Sequence, residues 1–416
     1  MSRNLSTTGM NVSLKFHRGG KTKVIYDLPL VAETVQDFRI TLDLNLMLPV
    51  LSIGLADSLN ALGHKQPSDR TILSMHVQLG SVWGASPEFV TTFDFAILRT
   101  SPDSSRWYKS TGVLDVDNFY TPCKCRSFNG SLNETLIQIA NEMYLTDTDI
   151  SGSLKNHAKV VLQPYITNGT LLAGLRDTME GKGGETGYYT FIKPGDGKTT
   201  LVFKTINDML SVKPKYLFAP ISNVIVSDKA VTLPIVDYKI IGNYGLQRTT
   251  GSQYQAVGYH DFDTGRYRMS QSSVSGNDDV AKDVIGSTSH FYIDKADSKI
   301  SSAPIFSTGR NNSNTSDFSY YSAGKLHKKM INLSKLWITT WGTHDLYPGD
   351  TAYVSSLDPT TPNDVWQGQF TGKWLIERIV HTFDSWHRTK VLLTRSGLNV
   401  DTNSTLTLVP GKDKKL

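Results

Sequence analysis

Cysteine is almost missing from this chain of 416 residues; the two that occur stand together as Cys123-Lys124-Cys125. That scarcity excludes a disulfide framework and a zinc site built from four thiolates. Long hydrophobic runs are missing too. The longest apolar-rich stretch, Leu44 to Ala56, is broken by Asn45, Pro49, Ser52 and Gly54 and is too short to span a bilayer. No apolar signal core appears at Met1-Ser2-Arg3-Asn4-Leu5-Ser6, so the sequence predicts no membrane segment and folding in a reducing cytoplasm. The sequons at Asn129, Asn168 and Asn332 then read as chance in a chain rich in Ser, Thr and Asn. A strong charge imbalance is absent as well. The formal net charge is +5, and the charges look interspersed, which predicts a solvated surface and at most weak, salt-dependent, non-specific binding to nucleic acid.

Catalytic and cofactor signatures are equally scarce. Ten histidines are scattered without a His-Glu-x-x-His pattern, and no Gly-x-Ser-x-Gly occurs. Gly195-Asp196-Gly197-Lys198-Thr199 imitates the end of a phosphate loop, but Ile192 stands where that loop needs its first glycine. A hairpin turn is the better reading. His260, Asp261 and Asp263 form a small cluster that a metal could use, and His381 and His387 flank Asp384 and Trp386. For the second pair, polar tips at a turn between two strands are the reading that needs least. The sequence therefore predicts no catalytic residues, no metal and no cofactor. A cell-wall hydrolase working through residues 250–330 is the enzymatic alternative.

What is abundant is aromatic: 18 Tyr, 16 Phe and 7 Trp, the residue type that covers pleated faces. Phe38–Leu44 alternates apolar and polar residues, as a half-buried strand does; Ile72–Leu79 and Phe89–Leu98 are further runs. Near 130 the period changes. Ser131 and Glu134 form a capping box before a helical face of Leu132, Leu136, Ile139, Ala140 and Met143. A second helix from Asn168 turns Leu171, Leu172, Leu175 and Met179 inward and stops at Gly181–Gly184. Tyr188–Lys193 and Thr200–Lys204 then read as a hairpin. Strands resume at Asn223–Val226 and Val236–Ile241, give way to a Ser- and Asn-rich segment over 250–330, and return at Leu336–Thr340. The clearest signature closes the chain. Pro348-Gly349-Asp350 shapes a turn before Thr351–Val354, and Gly372–Phe383 and Thr389–Arg395 are two rich strands.

The ordered set resembles the central hub protein of contractile bacteriophage tail baseplates. The wider group includes late control protein D and the N-terminal part of the type VI secretion spike VgrG. The match is carried by the helix at Leu136–Ala140, the strand-helix-hairpin unit from Val160 to Phe203, and the turn at Leu346–Asp350. The closing pattern Gly372, Trp374, Ile376, Ile379 or Val380, His381 and Phe383 through Leu392, Leu393 and Arg395 completes it. The resemblance implies a mixed, mainly β fold: two tail-tube-like antiparallel β-barrels, an α/β connector and an insertion in the second barrel. The expected divisions are a first barrel (1–120), the connector (121–218) and the first part of the second barrel (219–250). An inserted domain or mobile loops (251–330), the closing part of the second barrel (331–405) and a tail (406–416) follow. Pro348, Gly349, Asp350, Gly372, Trp374, Ile376, Ile379, Val391 and Leu393 are expected in structural roles, as turn and barrel residues. Implied partners are two further copies of the chain, a spike protein, a tail-tube or tube-initiator protein and baseplate wedge proteins, with DNA only passing through the lumen. The hub of a non-contractile tail or of a secretion spike is the alternative within assembly proteins.

Overall fold

The computed structural model describes residues 10–18, 24–29, 35–56, 71–80, 89–104, 107–154, 160–179, 187–195, 198–220, 231–242, 254–261, 266–273, 328, 334–343, 346–355, 370–383 and 387–395. The fold is mainly β. Seven strands come first: β1 (Met10–Arg18), β2 (Val24–Pro29), β3 (Val35–Asp43), β4 (Val50–Ala56), β5 (Thr71–Gly80), β6 (Phe89–Ser104) and β7 (Trp107–Leu114). They pair in the order β3-β4-β7-β6-β5-β1-β2, every pairing antiparallel. Period-two patterning fixes which face is inward. Phe38, Ile40 and Leu42 are buried while Arg39 is exposed, and Met75, Val77, Phe93 and Phe95 continue the apolar face.

A helical segment follows, with β8 (Lys124–Phe128), α1 (Leu132–Glu142), β9 (Asp147–Ile150), β10 (Val161–Ile166), α2 (Asn168–Thr178), β11 (Tyr188–Pro194), β12 (Thr199–Thr205) and α3 (Ile206–Ser211). The expected capping box is present: Ser131 Oγ accepts from Glu134 N–H at 3.2 Å, and Glu134 Oε2 accepts from Ser131 N–H at 3.0 Å. Such a cap stabilises a helix by about 1 kcal/mol. Leu132, Leu136, Ile139, Ala140 and Met143 are buried, as are Leu171, Leu172, Leu175 and Met179 of the second helix. α3 has its own box, Thr205 with Asp208, which sequence reasoning passed over because the helix is only six residues long. β8 pairs with β10, β11 with β12, and β12 runs parallel to β9.

The last strands are β13 (Tyr216–Pro220), β14 (Val231–Ile235), β15 (Asp237–Gly242), β16 (Tyr254–Asp261), β17 (Arg266–Ser273), β18 (Ser334–Trp341), β19 (Thr351–Val354), β20 (Gly372–Phe383) and β21 (His387–Arg395). β15 pairs with β18, β18 with β21 and β21 with β20, so strands before 250 share a sheet with strands after 330. In this sheet two pairings depart from an all-antiparallel scheme, since β13 runs parallel to both β14 and β19. Alternating patterns reveal faces but not strand direction, which the connections decide. Among the described residues, β16 and β17 pair only with each other. The expected strand at Asn223–Val226, the glycines at 181–184, the low-complexity stretch within 251–330 and the tail at 406–416 lie outside the described residues.

A candidate assembly site around one strand

The Pro348-Gly349-Asp350 turn is built from its residue types. Asp350 N–H donates to Tyr347 O at 3.2 Å, Pro348 occupies the second position, and Gly349 has φ +87°, the arrangement of a type II turn. Space demands glycine too: a Cβ there would lie 3.0 Å from Met209 Sδ and 3.2 Å from Phe191 Cζ. The turn is clipped to β20 by Gly349 N–H donating to Ile376 O and Ile376 N–H to Asp350 O, both at 2.9 Å. Burial pushes the Asp350 carboxyl above its ordinary range, opposed by the charges of Lys193 and Lys215.

β20 opens at Gly372, with φ +113°, and carries the predicted Trp374, Ile376 and Ile379, all fully buried. Trp374 donates Nε1–H to Phe370 O at 2.9 Å, and the Arg395 guanidinium lies 4.2 Å over its ring. Inward positions are even before residue 377 (Trp374, Ile376) and odd after it (Ile379, His381, Phe383). The change of parity is a bulge. Against β21, Ile376 faces Leu393 and Arg378 faces Leu392, leaving Glu377 as the extra residue. Val391 and Leu393, also predicted, are fully buried opposite Ile379 and Ile376. Leu375 points the other way and packs with Leu44, Tyr189, Phe191, Val202, Ile206 and Met209 of a second apolar cluster.

The bulge marks where β20 changes partners. Its first residues pair with β19, and residues Arg378–Phe383 pair with β3, joining the early and late strand sets into one sheet of 14 strands. Arg378 Nε donates to buried Asp43 Oδ2 at 2.5 Å across this seam. Asp43 Oδ1 also accepts from Asn45 N–H and Nδ2–H at 2.8 and 3.0 Å. Glu377, 5% exposed, is held by Lys335 of β18 at 2.8 Å. The phenol of Tyr189 is pushed upward by burial, with the charges of Glu377 and Asp43 adding to it.

His381 and His387 do not form polar tips of a turn. Both are 2% exposed, and His381 Nδ1 lies 3.2 Å from His387 Nε2, a hydrogen bond between neighbouring strands; Thr389 Oγ1 lies 3.3 Å from the same Nδ1. Asp384 and Trp386 lie outside the described residues, as does Asp263. The backbone of His260 and Asp261 sits on β16 opposite Tyr267 and Arg266. Among the described residues, no group of three or more His, Cys, Asp or Glu side chains comes together to hold a metal. Lys198 O accepts from Gly195 N–H at 2.6 Å between β11 and β12, a hairpin setting rather than a phosphate loop before a helix. Cys123 and Cys125 are both exposed and free.

Sequence reasoning missed a polar cluster in the helical segment. Arg126 donates through Nη1 and Nη2 to the two oxygens of Glu142, and through Nε to Gln163 Oε1 at 2.7 Å. Lys124 Nζ donates to Glu142 Oε2 at 2.6 Å. Gln163 Nε2 in turn donates to Asn168 Oδ1 at 3.1 Å, so the cluster ties α1 to β8, β10 and the start of α2. The Arg126 hydrogen bonds, with Lys124, hold Glu142 down to about 2. Asn168 is fully buried, which makes its sequon unusable in this fold. Among the described residues, no helix is long and apolar enough to cross a membrane.

Comparison with solved structures places this architecture. A tail protein from Neisseria meningitidis superposes with a TM-score of 0.52 at 11% identity, over 93% of this chain and 97% of its own. The 43 kDa tail protein of prophage MuSo2 from Shewanella oneidensis gives 0.53 at 10% identity, over 94% of this chain and all of its own. The chain has the fold of these tail proteins. A type VI secretion component of E. coli aligns more loosely, with a TM-score of 0.45 at 10% identity over 92% of this chain and 76% of its own. No family model matches the sequence, and comparison with curated proteins finds no match.

Proposed function

We propose that the chain is the structural hub of a phage-type tail baseplate, located at the tail end of the virion. The observation that carries the reading is the shared fold with two tail proteins, one of them from a prophage, along nearly the whole length of all three chains. The sheet adds support, because its two strand sets meet at a single seam between β3 and β20. On this reading residues 1–120 form one tube-like barrel, 219–250 and 331–405 form a second around an insertion at 251–330, and 121–218 connect them. Three copies then form a ring of six barrels, adapting a six-fold tube to a three-fold spike. A spike protein, a tube or tube-initiator protein and wedge proteins dock on the ring, and DNA passes through its lumen. Pro348, Gly349, Asp350, Gly372, Trp374, Ile376, Ile379, Val391 and Leu393 act as structural elements of the second barrel, and the chain performs no catalysis.

Light scattering on the purified protein tests the reading. A mass of three chains, alone or with a spike partner, supports it; a monomer under both conditions sinks it. Clearing of a peptidoglycan zymogram would replace the non-catalytic part with the hydrolase alternative. Co-purification with a sheath protein separates a contractile tail from a non-contractile one.

A further inference from the structure

The strand register gathers charges that look scattered along the sequence. Arg388 of β21 faces Thr382 of β20, which faces Arg39 of β3; Arg39 faces Ser52 of β4, Ser52 faces Thr111 of β7, and Thr111 faces Arg99 of β6. Five of them alternate with inward residues such as His387, Phe38, Ile40, Leu51 and Ile53, and Arg99, which follows exposed Leu98 at a bulge, is set on the same outward face by its pairing with Thr111. Arg39, Ser52, Thr111 and Arg99 are exposed. Lys390 and Lys109, both exposed, stand two residues along β21 and β7 on the same face. Arg39, Arg99 and Lys390 have no carboxylate partner among the described residues. The acidic residues nearby are Asp37, exposed two positions from Arg39, Asp43, which Arg378 already neutralises, and Asp94 of β6, which is exposed and lies 2.7 Å from His76 Nδ1. Six strands at about 4.8 Å spacing make a row of about 24 Å in which three arginines are separated by one or two hydroxyl residues.

We propose that this row is a binding strip for the phosphate backbone of double-stranded DNA. Arg, Lys, Ser and Thr are the side chains that contact phosphate oxygens, whereas base reading needs an element that enters a groove. A sheet face offers the first, and with no element that enters a groove it does not offer the second, so the binding is independent of sequence. The strip stands on the sheet register and not on the oligomeric state.

Fluorescence anisotropy of the full chain with a labelled duplex of about 30 bp, titrated from about 50 to 200 mM salt, tests it. The log–log salt slope is expected near −3 to −4, for about four neutralised phosphates. The triple variant R39Q/R99Q/K390Q is expected to bind at least about tenfold more weakly and to flatten the slope by about 2 to 3. The control K198Q/K213Q, which removes two exposed charges elsewhere, is expected to leave both unchanged. Should the triple variant fail to fold, R99Q alone is read for a slope change of about 1. Lack of binding at the lowest salt overturns the strip, as does equal weakening by the control pair. Anionic phospholipid vesicles that bind through these residues while DNA does not would also overturn it. A trimer that fails to retain the duplex removes the strip and leaves the hub reading in place.

Discussion

Asp43 and Arg378, 335 residues apart in sequence, face each other across the seam between β3 and β20 with 2.5 Å between Oδ2 and Nε. The pair sits where an early strand meets a late one, and its two sides are unequal. Asp43 is buried, whereas the Arg378 side chain is 41% exposed. Asp43→Ala orphans the Asn45 amide as well as the guanidinium and is expected to cost about 2–4 kcal/mol. Arg378→Ala leaves Asp43 its two bonds from Asn45 and is expected to cost about 1 kcal/mol. A double-mutant cycle by urea unfolding should return a coupling of about 0.5–1 kcal/mol. A coupling near zero would mean that backbone pairing alone makes the seam.

Two glycines are expected to resist enlargement for different reasons. Gly349→Ala meets a left-handed backbone and close neighbours, and Gly342→Ala would place a Cβ 2.2 Å from His387 Nδ1. Each is expected to lower stability by about 1–3 kcal/mol. At Gly342 the loss should shrink when His387→Ala is added, because the ring that blocks the methyl is gone. Thermal melts of the two single variants and the double variant check this.

Trp374 fills the core where β20 leaves its turn. Trp374→Ala is expected to cost about 3–5 kcal/mol through the cavity it opens. Trp374→Phe should cost less, losing some volume and the bond to Phe370 O. Denaturant midpoints rank the three proteins.

Glu142 and Asp350 predict opposite slopes of stability with pH. The folded value of Glu142 lies below its ordinary one, so its contribution is present at neutral pH and is lost as pH falls from about 4.5 toward about 2. Glu142→Gln should therefore remove part of the acid-side loss. Asp350 is raised by burial, so its contribution is full below its ordinary value of 3.8 and declines as pH rises through the folded one. Asp350→Asn should gain on the parent as pH rises toward neutrality. Urea midpoints measured across this range for both variants settle the signs.

Local chemistry made much of the fold legible. The Ser131–Glu134 box, the apolar faces of α1 and α2, and the β11–β12 hairpin depend on residues within a few positions of one another. The closing strands were readable because Trp374, Ile376, Val391 and Leu393 belong to dense apolar runs. The bulge at Glu377 was not, since a buried glutamate in a strand looks like an outward residue until Lys335 is seen beside it. The His381–His387 bond needs two strands in register, and the parallel course of β13 needs its connections. The Arg126–Glu142 cluster draws on four elements at once. The cationic row was the least visible, because Arg39, Arg99 and Arg388 lie far apart in sequence and only the pairing aligns them.

The seam also orders events in time. At a synthesis rate of about 5–20 residues per second, β20 emerges on the order of half a minute after β3. Until then β3 keeps one edge unpaired, and an open edge invites strands from other chains. The first half of the sheet thus depends on roughly the last tenth of the chain to close it. Truncations that stop before Gly372 should aggregate even though every residue of the first strand set is intact.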